Sequence, residues 1–118
     1  MYAGHNDLIA RELDVIGLRV ARMLESKGFR AYHLMSSRGC IDDRFLISLL
    51  SPKHIAAKAG LGEIGYSSLL ITPKFGPRVR FNPILTDADL EVDQQIDGRF
   101  WETCKAKPCI AQCPSGAL

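Results

Sequence analysis

Ala59-Gly60-Leu61-Gly62-Glu63-Ile64-Gly65 is the stretch on which the fold turns. Its glycines spell G-x-G-x-x-G. In dinucleotide-binding folds that spacing follows a strand and opens a helix, so that the helix N-terminus faces a pyrophosphate. Here the order is reversed. Ser51-Pro52 before it pairs a capping serine with a proline at the first helical position, and Ile55-Ala-Ala-Lys-Ala59 continues a helix. After the glycines comes the β-like run Ser67–Thr72. The nucleotide reading is therefore rejected. The glycines end a helix and let the backbone approach something closely, either a neighbouring strand or a flat cofactor. The helix–glycine–strand order places the chain among layered α/β or α+β domains.

Toward the N-terminus the same order repeats. Ile9, Leu13, Ile16, Val20 and Leu24 recur at helical spacing and predict an amphipathic helix over 6–27, with Asn6 or Asp7 as its cap. Gly28 ends it, and 29–35 reads as a strand. The apolar run 45–50 allows helix or strand. Toward the C-terminus, Pro73-Lys-Phe-Gly76 separates Ser67–Thr72 from the β-like run Arg78–Leu85, which predicts a hairpin. Residues 86–98 read as an acidic loop.

With 118 residues, 47% hydrophobic and 24% charged, the chain has the composition of a soluble globular protein with one modest core. The formal charge of +2 is spread along the sequence. It gives no reason to expect nucleic-acid binding, which needs clustered cations. The densest basic stretch, Lys53, Lys58, Lys74, Arg78 and Arg80, reads as a solvated face, with an electron-donor docking patch as the sharper alternative. No run approaches the roughly 20 apolar residues of a membrane helix. The start lacks the basic-then-apolar order of a secretory signal, so a cytoplasmic location is expected.

The four cysteines agree with a reducing compartment, because three of them crowd together between positions 104 and 113. Cys104-Lys-Ala-Lys-Pro-Cys109-Ile-Ala-Gln-Cys113-Pro114 ends in C-x3-C-P, the second half of the bacterial iron–sulfur run. The two earlier positions of that run fall on Thr103 and Ala106, so the spacing is a variant with three ligands, Cys104, Cys109 and Cys113. Zinc held by three cysteines and a histidine is a competing reading. Structural cysteines without metal are a third. Cys40 stands alone and reads as a small buried hydrophobe. His54 reads as a solvent-facing or packing residue of the second helix, and Glu63 as exposed. Phe100 and Trp101 read as apolar cover before the cysteines.

From about Ser51 onward the chain resembles the epoxyqueuosine reductase and reductive dehalogenase family of corrinoid iron–sulfur enzymes. The resemblance is carried by Ala59-Gly-Leu-Gly-Glu-Ile-Gly65, Ser68-Leu-Leu-Ile-Thr72, Phe75-Gly76, Ile84-Leu-Thr-Asp-Ala88 with Leu90, and Cys113-Pro-Ser-Gly-Ala-Leu118. It implies a nitroreductase-like α/β core that binds cobalamin, over 1–98, leading into the start of a ferredoxin-like [4Fe–4S] segment, over 99–118. By that resemblance Gly60, Gly62, Gly65, Ser68, Leu70 and Phe81 would border the corrinoid. A low-potential donor such as ferredoxin or flavodoxin would supply electrons for removing oxygen or halogen from a small molecule or modified nucleoside.

Departures from the family pattern mark a divergent branch. Tyr32-His-Leu-Met-Ser36 has no acid where epoxyqueuosine reductases carry a proton-donating aspartate, and Asp43 or His33 are the candidate replacements. Tyr66 stands where the family has a lysine after the glycine loop, and is a second candidate proton donor. The cysteines of a second motif are absent. The chain is therefore expected to be a truncated or minimal member that alone holds no stable [4Fe–4S] cluster. A ferredoxin-like electron-transfer module without catalysis and a zinc-stabilised binding domain are the alternatives. An unpaired sheet edge makes a homodimer a further expectation.

Overall fold

The computed structural model describes residues 2–35, 40–42, 47–48, 50–96 and 100–118. It is a mixed helix and antiparallel-sheet (α+β) structure in two compact units, Met1–Pro52 with Arg80–Glu91, and Lys53–Val79 with Val92–Leu118.

The first unit is built on α1 (Tyr2–Ser26), which packs against β1 (Ala31–His33) and β6 (Ile84–Thr86). Helix α1 starts earlier than expected. Asn6 lies inside it, and its side-chain oxygen accepts from Arg80 instead of capping a helix end. The C-terminus follows the expectation. Gly28 has φ +91°, its N–H reaches Glu25 O at 2.9 Å, and Phe29 N–H reaches Leu24 O at 3.2 Å. That bond pair is a Schellman cap, which consumes carbonyls the helix cannot satisfy itself.

The packed face of α1 overlaps the expected stripe only in part, with Leu13, Val20 and Leu24 half-buried. Ala10, Gly17 and Ala21 are buried, whereas Ile9 and Ile16 are exposed. Small residues let the helix approach closely. At Gly17 an added Cβ would lie 2.6 Å from Asn82 Nδ2, whose amide donates to Leu13 O at 2.8 Å and Asp14 Oδ1 at 3.3 Å. Strands β1 and β6 pair antiparallel, Ala31 with Thr86 through His33 with Ile84. Arg30 and Asp87 extend the ladder with a fork, in which Arg30 N and Nε donate to the two carboxylate oxygens at 2.7 and 2.8 Å. A second antiparallel pair, β2 (Cys40–Asp42) with β3 (Ile47–Ser48), has a bulge between Cys40 and Asp42. The run left open between helix and strand thus contributes a strand.

Helix α2 (Pro52–Lys58) forms as Ser51-Pro52 predicts, and from Lys53 on it belongs to the second unit. Gly60, at φ +76°, ends it with the same two-bond cap, its own N–H to Ala57 O and Leu61 N–H to Ala56 O. Strand β4 (Glu63–Ile64) then pairs antiparallel with β5 (Leu70–Ile71). The expected hairpin between Ser67–Thr72 and Arg78–Leu85 is not formed. Pro73–Gly76 does reverse the chain, with Thr72 and Gly76 exchanging backbone bonds of 3.0 and 2.9 Å. Beyond that turn, however, residues 78–83 are irregular, and the strand that follows pairs with β1. Pro77 and Pro83 explain this, because each lacks the N–H a ladder requires. A one-turn 3-10 segment (Phe100–Thr103) and α3 (Pro108–Ala111) carry the chain through the cysteines.

Candidate functional site

The glycine loop and the cysteine segment fold into the same unit. Gly60 and Gly62 both sit against backbone. A Cβ on Gly60 would lie 2.4 Å from Gln94 O, and one on Gly62 would lie 2.3 Å from Ile71 O. The close approach foreseen for these glycines is thus, at Gly62, to the neighbouring strand β5. Gly65 is buried, and its N–H bonds Leu69 O at 3.0 Å across the turn joining β4 to β5. Ser68 occupies that turn at φ +57°, exposed, and its carbonyl accepts from Lys53 Nζ at 2.7 Å. This ammonium ties α2 to the turn, so Lys53 has a structural partner as well as a place in the basic stretch. Leu70, in β5, is buried. Glu63, expected to be exposed, is half-buried in β4.

Tyr66 leads into the turn, and Lys107 Nζ lies 4.7 Å from the centroid of its ring. A cation over an aromatic face is attracted by the ring quadrupole, worth about 0.5–1 kcal/mol at an exposed site. The contact joins the turn after the glycines directly to the cysteine segment. Lys107 itself has a left-handed backbone, φ 39° and ψ 53°, and precedes Pro108 at the start of α3. No sequence signal pointed to Lys107. A lysine before proline reads as an ordinary surface residue, and its importance comes from long-range folding.

Cys104 and Cys109 are exposed and Cys113 is half-buried. Among the described residues no three His, Cys, Asp or Glu side chains form a group arranged to hold a metal. Cys113 nevertheless sits in a donor-rich turn. Its Sγ lies 3.5 Å from Ser115 Oγ, and the backbone N–H groups of Ala117, Ser115 and Leu118 also favour the thiolate. With the Ser115 hydroxyl as the largest influence, these donors lower its pKa to about 7. The thiolate is also the form in which a cysteine can bind a metal.

The remaining candidates lie elsewhere. Phe81 and His33 belong to the first unit, both half-buried, and His33 sits in β1 beside Tyr32 at a ring-centroid distance of 6.4 Å. Asp43 lies outside the described residues. His54 is exposed on α2, as expected. Among the described residues no helix is long and apolar enough to cross a membrane.

Comparison with known proteins agrees with the motifs. The chain is 42% identical over 66 residues to the tetrachloroethene reductive dehalogenase of Sulfurospirillum multivorans, covering 53% of this chain and 13% of that protein. It is similar to both reductive dehalogenases and epoxyqueuosine reductases. To the epoxyqueuosine reductase of Bacillus anthracis it is 35% identical over 69 residues, 58% of this chain and 17% of the relative. To that of Aliivibrio fischeri it is 26% identical over 114 residues, 97% of this chain and 27% of the relative. The chain thus spans between 13% and 27% of the length of these curated relatives. No protein-family model matches it. No solved structure matches it.

Proposed function

We propose that the chain carries the part of a corrinoid- and iron–sulfur-dependent reductase in which the border of the corrinoid meets the first cluster ligands. The observation that carries this is the Lys107–Tyr66 contact, which holds the cysteine segment against the turn after the glycines within one compact unit. A simple electron-transfer module has no need of the glycine hairpin. In this reading 1–98 is the nitroreductase-like core and 99–118 the start of the ferredoxin-like segment.

The residues fit the proposed cofactors in specific ways. The donor set is three thiols, one of them biased toward thiolate by surrounding donors. In ferredoxins with two clusters, the cysteine before proline ligates a different cluster from its neighbours. By that division Cys104 and Cys109 would share one cluster, and Cys113 would serve another. Gly60, Gly62, Gly65, Ser68 and Leu70 would border the corrinoid. The exposed Leu61, Leu69 and Phe75 provide apolar surface in the same unit as the glycines. Bound corrinoid and clusters would supply low-potential electrons for removing oxygen or halogen, with ferredoxin or flavodoxin as the donor. The protein's own part is to orient the substrate, a small molecule or modified nucleoside, and to deliver a proton from Tyr66 or Asp43. A cytoplasmic setting suits the free thiols.

Anaerobic addition of ferrous iron and sulfide, compared with zinc, tests the ligand assignment. The expected result is iron and sulfide uptake below full [4Fe–4S] stoichiometry. Loss should occur when Cys104 and Cys109 are both changed to Ser, with a separate decrement from Cys113→Ser. Tight zinc binding with no iron uptake would overturn the proposal in favour of a zinc-stabilised domain.

A further inference from the structure

We infer that the outward face of α1 is a dimer seam for a second copy of this chain, packed antiparallel across a two-fold axis. Helix α1 spends its small residues Ala10, Gly17 and Ala21 on its own sheet. Its larger apolar residues lie on the opposite side. Leu8, Ile9, Val15, Ile16 and Met23 each leave between 48% and 62% of their surface in solvent. At 3.6 residues per turn these five share one side of the helix, flanking a line through Glu12 and Arg19. This stripe continues over four turns, more than scattered surface apolar residues need to explain.

The order of residues along the stripe selects the partner. Apart from Ile9, whose counterpart is Arg22, it reads symmetrically about the point between Val15 and Ile16. Leu8 lies as far before that point as Met23 lies after it, and Glu12 as far before it as Arg19 after it. Two copies packed antiparallel about this point therefore place Leu8 against Met23 of the second copy and Val15 against Ile16. Glu12 meets Arg19 twice, once on each side of the axis. A parallel, in-register pair would instead set Glu12 against Glu12 and Arg19 against Arg19, and like charges facing each other reject that arrangement. A two-fold interface must be self-complementary, and these paired positions are so in apolar character and charge, while Ile9 at the edge meets the aliphatic stem of Arg22. Glu12 and Arg19 are exposed, and neither forms an ion pair among the described residues, so both are available to a partner. The two charge pairs set register and orientation, while the apolar residues supply the driving force.

Sedimentation equilibrium of the full chain over a wide concentration range tests the inference, with three variants beside it. The chain is expected to approach twice its protomer mass as concentration rises. Ile16→Lys should weaken association at least about tenfold, since it sets an ammonium into the apolar seam. Glu12→Arg should do the same by opposing two arginines, and the double reversal Glu12→Arg with Arg19→Glu should restore the dimer. All of these residues lie on the exposed side of α1, away from its packed face. A chain that stays monomeric throughout, its stripe left for another domain or another protein, overturns the inference. So does a dimer indifferent to Ile16→Lys, or one that the double reversal fails to restore.

Discussion

Substituting Gly62 by Ala probes the tightest contact in the second unit. The new Cβ would fall 2.3 Å from Ile71 O, 2.9 Å from Ile71 C and 3.1 Å from Thr72 Cα, whereas ordinary contact begins at 3.4 Å. All three obstacles are backbone atoms, so no side chain can swing aside. Relief requires β5 to retreat by about 1 Å, which an overpacked site resists at about 1–3 kcal/mol. The same movement strains the Glu63–Ile71 pairing, and weakening one ladder hydrogen bond costs about 1 kcal/mol more. The total, about 2–4 kcal/mol, is a large share of the roughly 5–15 kcal/mol that holds a small protein together. With a urea slope near 2 kcal/mol/M, the unfolding midpoint should fall by about 1–2 M. Gly76→Asn is the control in the same unit. Gly76 has φ +60° but open space around it, and Asn tolerates that conformation, so the shift should stay within about 0.5 kcal/mol. Urea titration followed by circular dichroism reads both variants. Equal midpoints for Gly62→Ala and the parent would refute the close-packing explanation of this glycine.

Other outcomes follow from the same geometry. Alkylation of Cys113, followed by mass spectrometry against pH, should reach half its limiting rate at about pH 7, and Ser115→Ala should move that point upward. Because folding lowers this pKa from 9.0, the thiolate's contribution to stability is present above pH 9 and lost as pH falls through about 7. Asn82→Ala removes the amide that bonds Leu13 O and Asp14 Oδ1, and should cost about 1–2 kcal/mol in a thermal or urea melt. Asp87→Ala opens the exposed fork to Arg30, so its effect should be small and should shrink further in high salt.

Local signals in the sequence foretold local structure well. Gly28 and Gly60 were readable as helix ends because a left-handed cap has one preferred residue, and both close with the same bond pair. The reversed order around Gly60–Gly65 was enough to reject a nucleotide loop, and α2 does precede the glycines. Pairing between distant segments was less legible. The turn at Pro73–Gly76 suggested a hairpin, but Pro77 and Pro83 release the following segment, and β6 finds β1 instead. The face of α1 is legible only in part, since Leu13, Val20 and Leu24 of the expected stripe are half-buried while Ile9 and Ile16 are exposed. Periodicity weights large apolar residues, whereas close packing on this sheet selected Ala10, Gly17 and Ala21 and turned Ile9 and Ile16 outward. The cysteine spacing identified the thiols, but only the fold showed donors gathered around Cys113 and the link from Lys107 to Tyr66.

Equilibrium dialysis of the anaerobic chain against hydroxocobalamin, with cobalt measured on both sides of the membrane, tests the central proposal most directly. The account predicts saturable retention of about one corrinoid per chain, weakened when Tyr66 is replaced by Ala or Ser68 by Leu. Cobalt distributed equally across the membrane at every concentration would contradict it, and would reduce the glycine hairpin to packing alone.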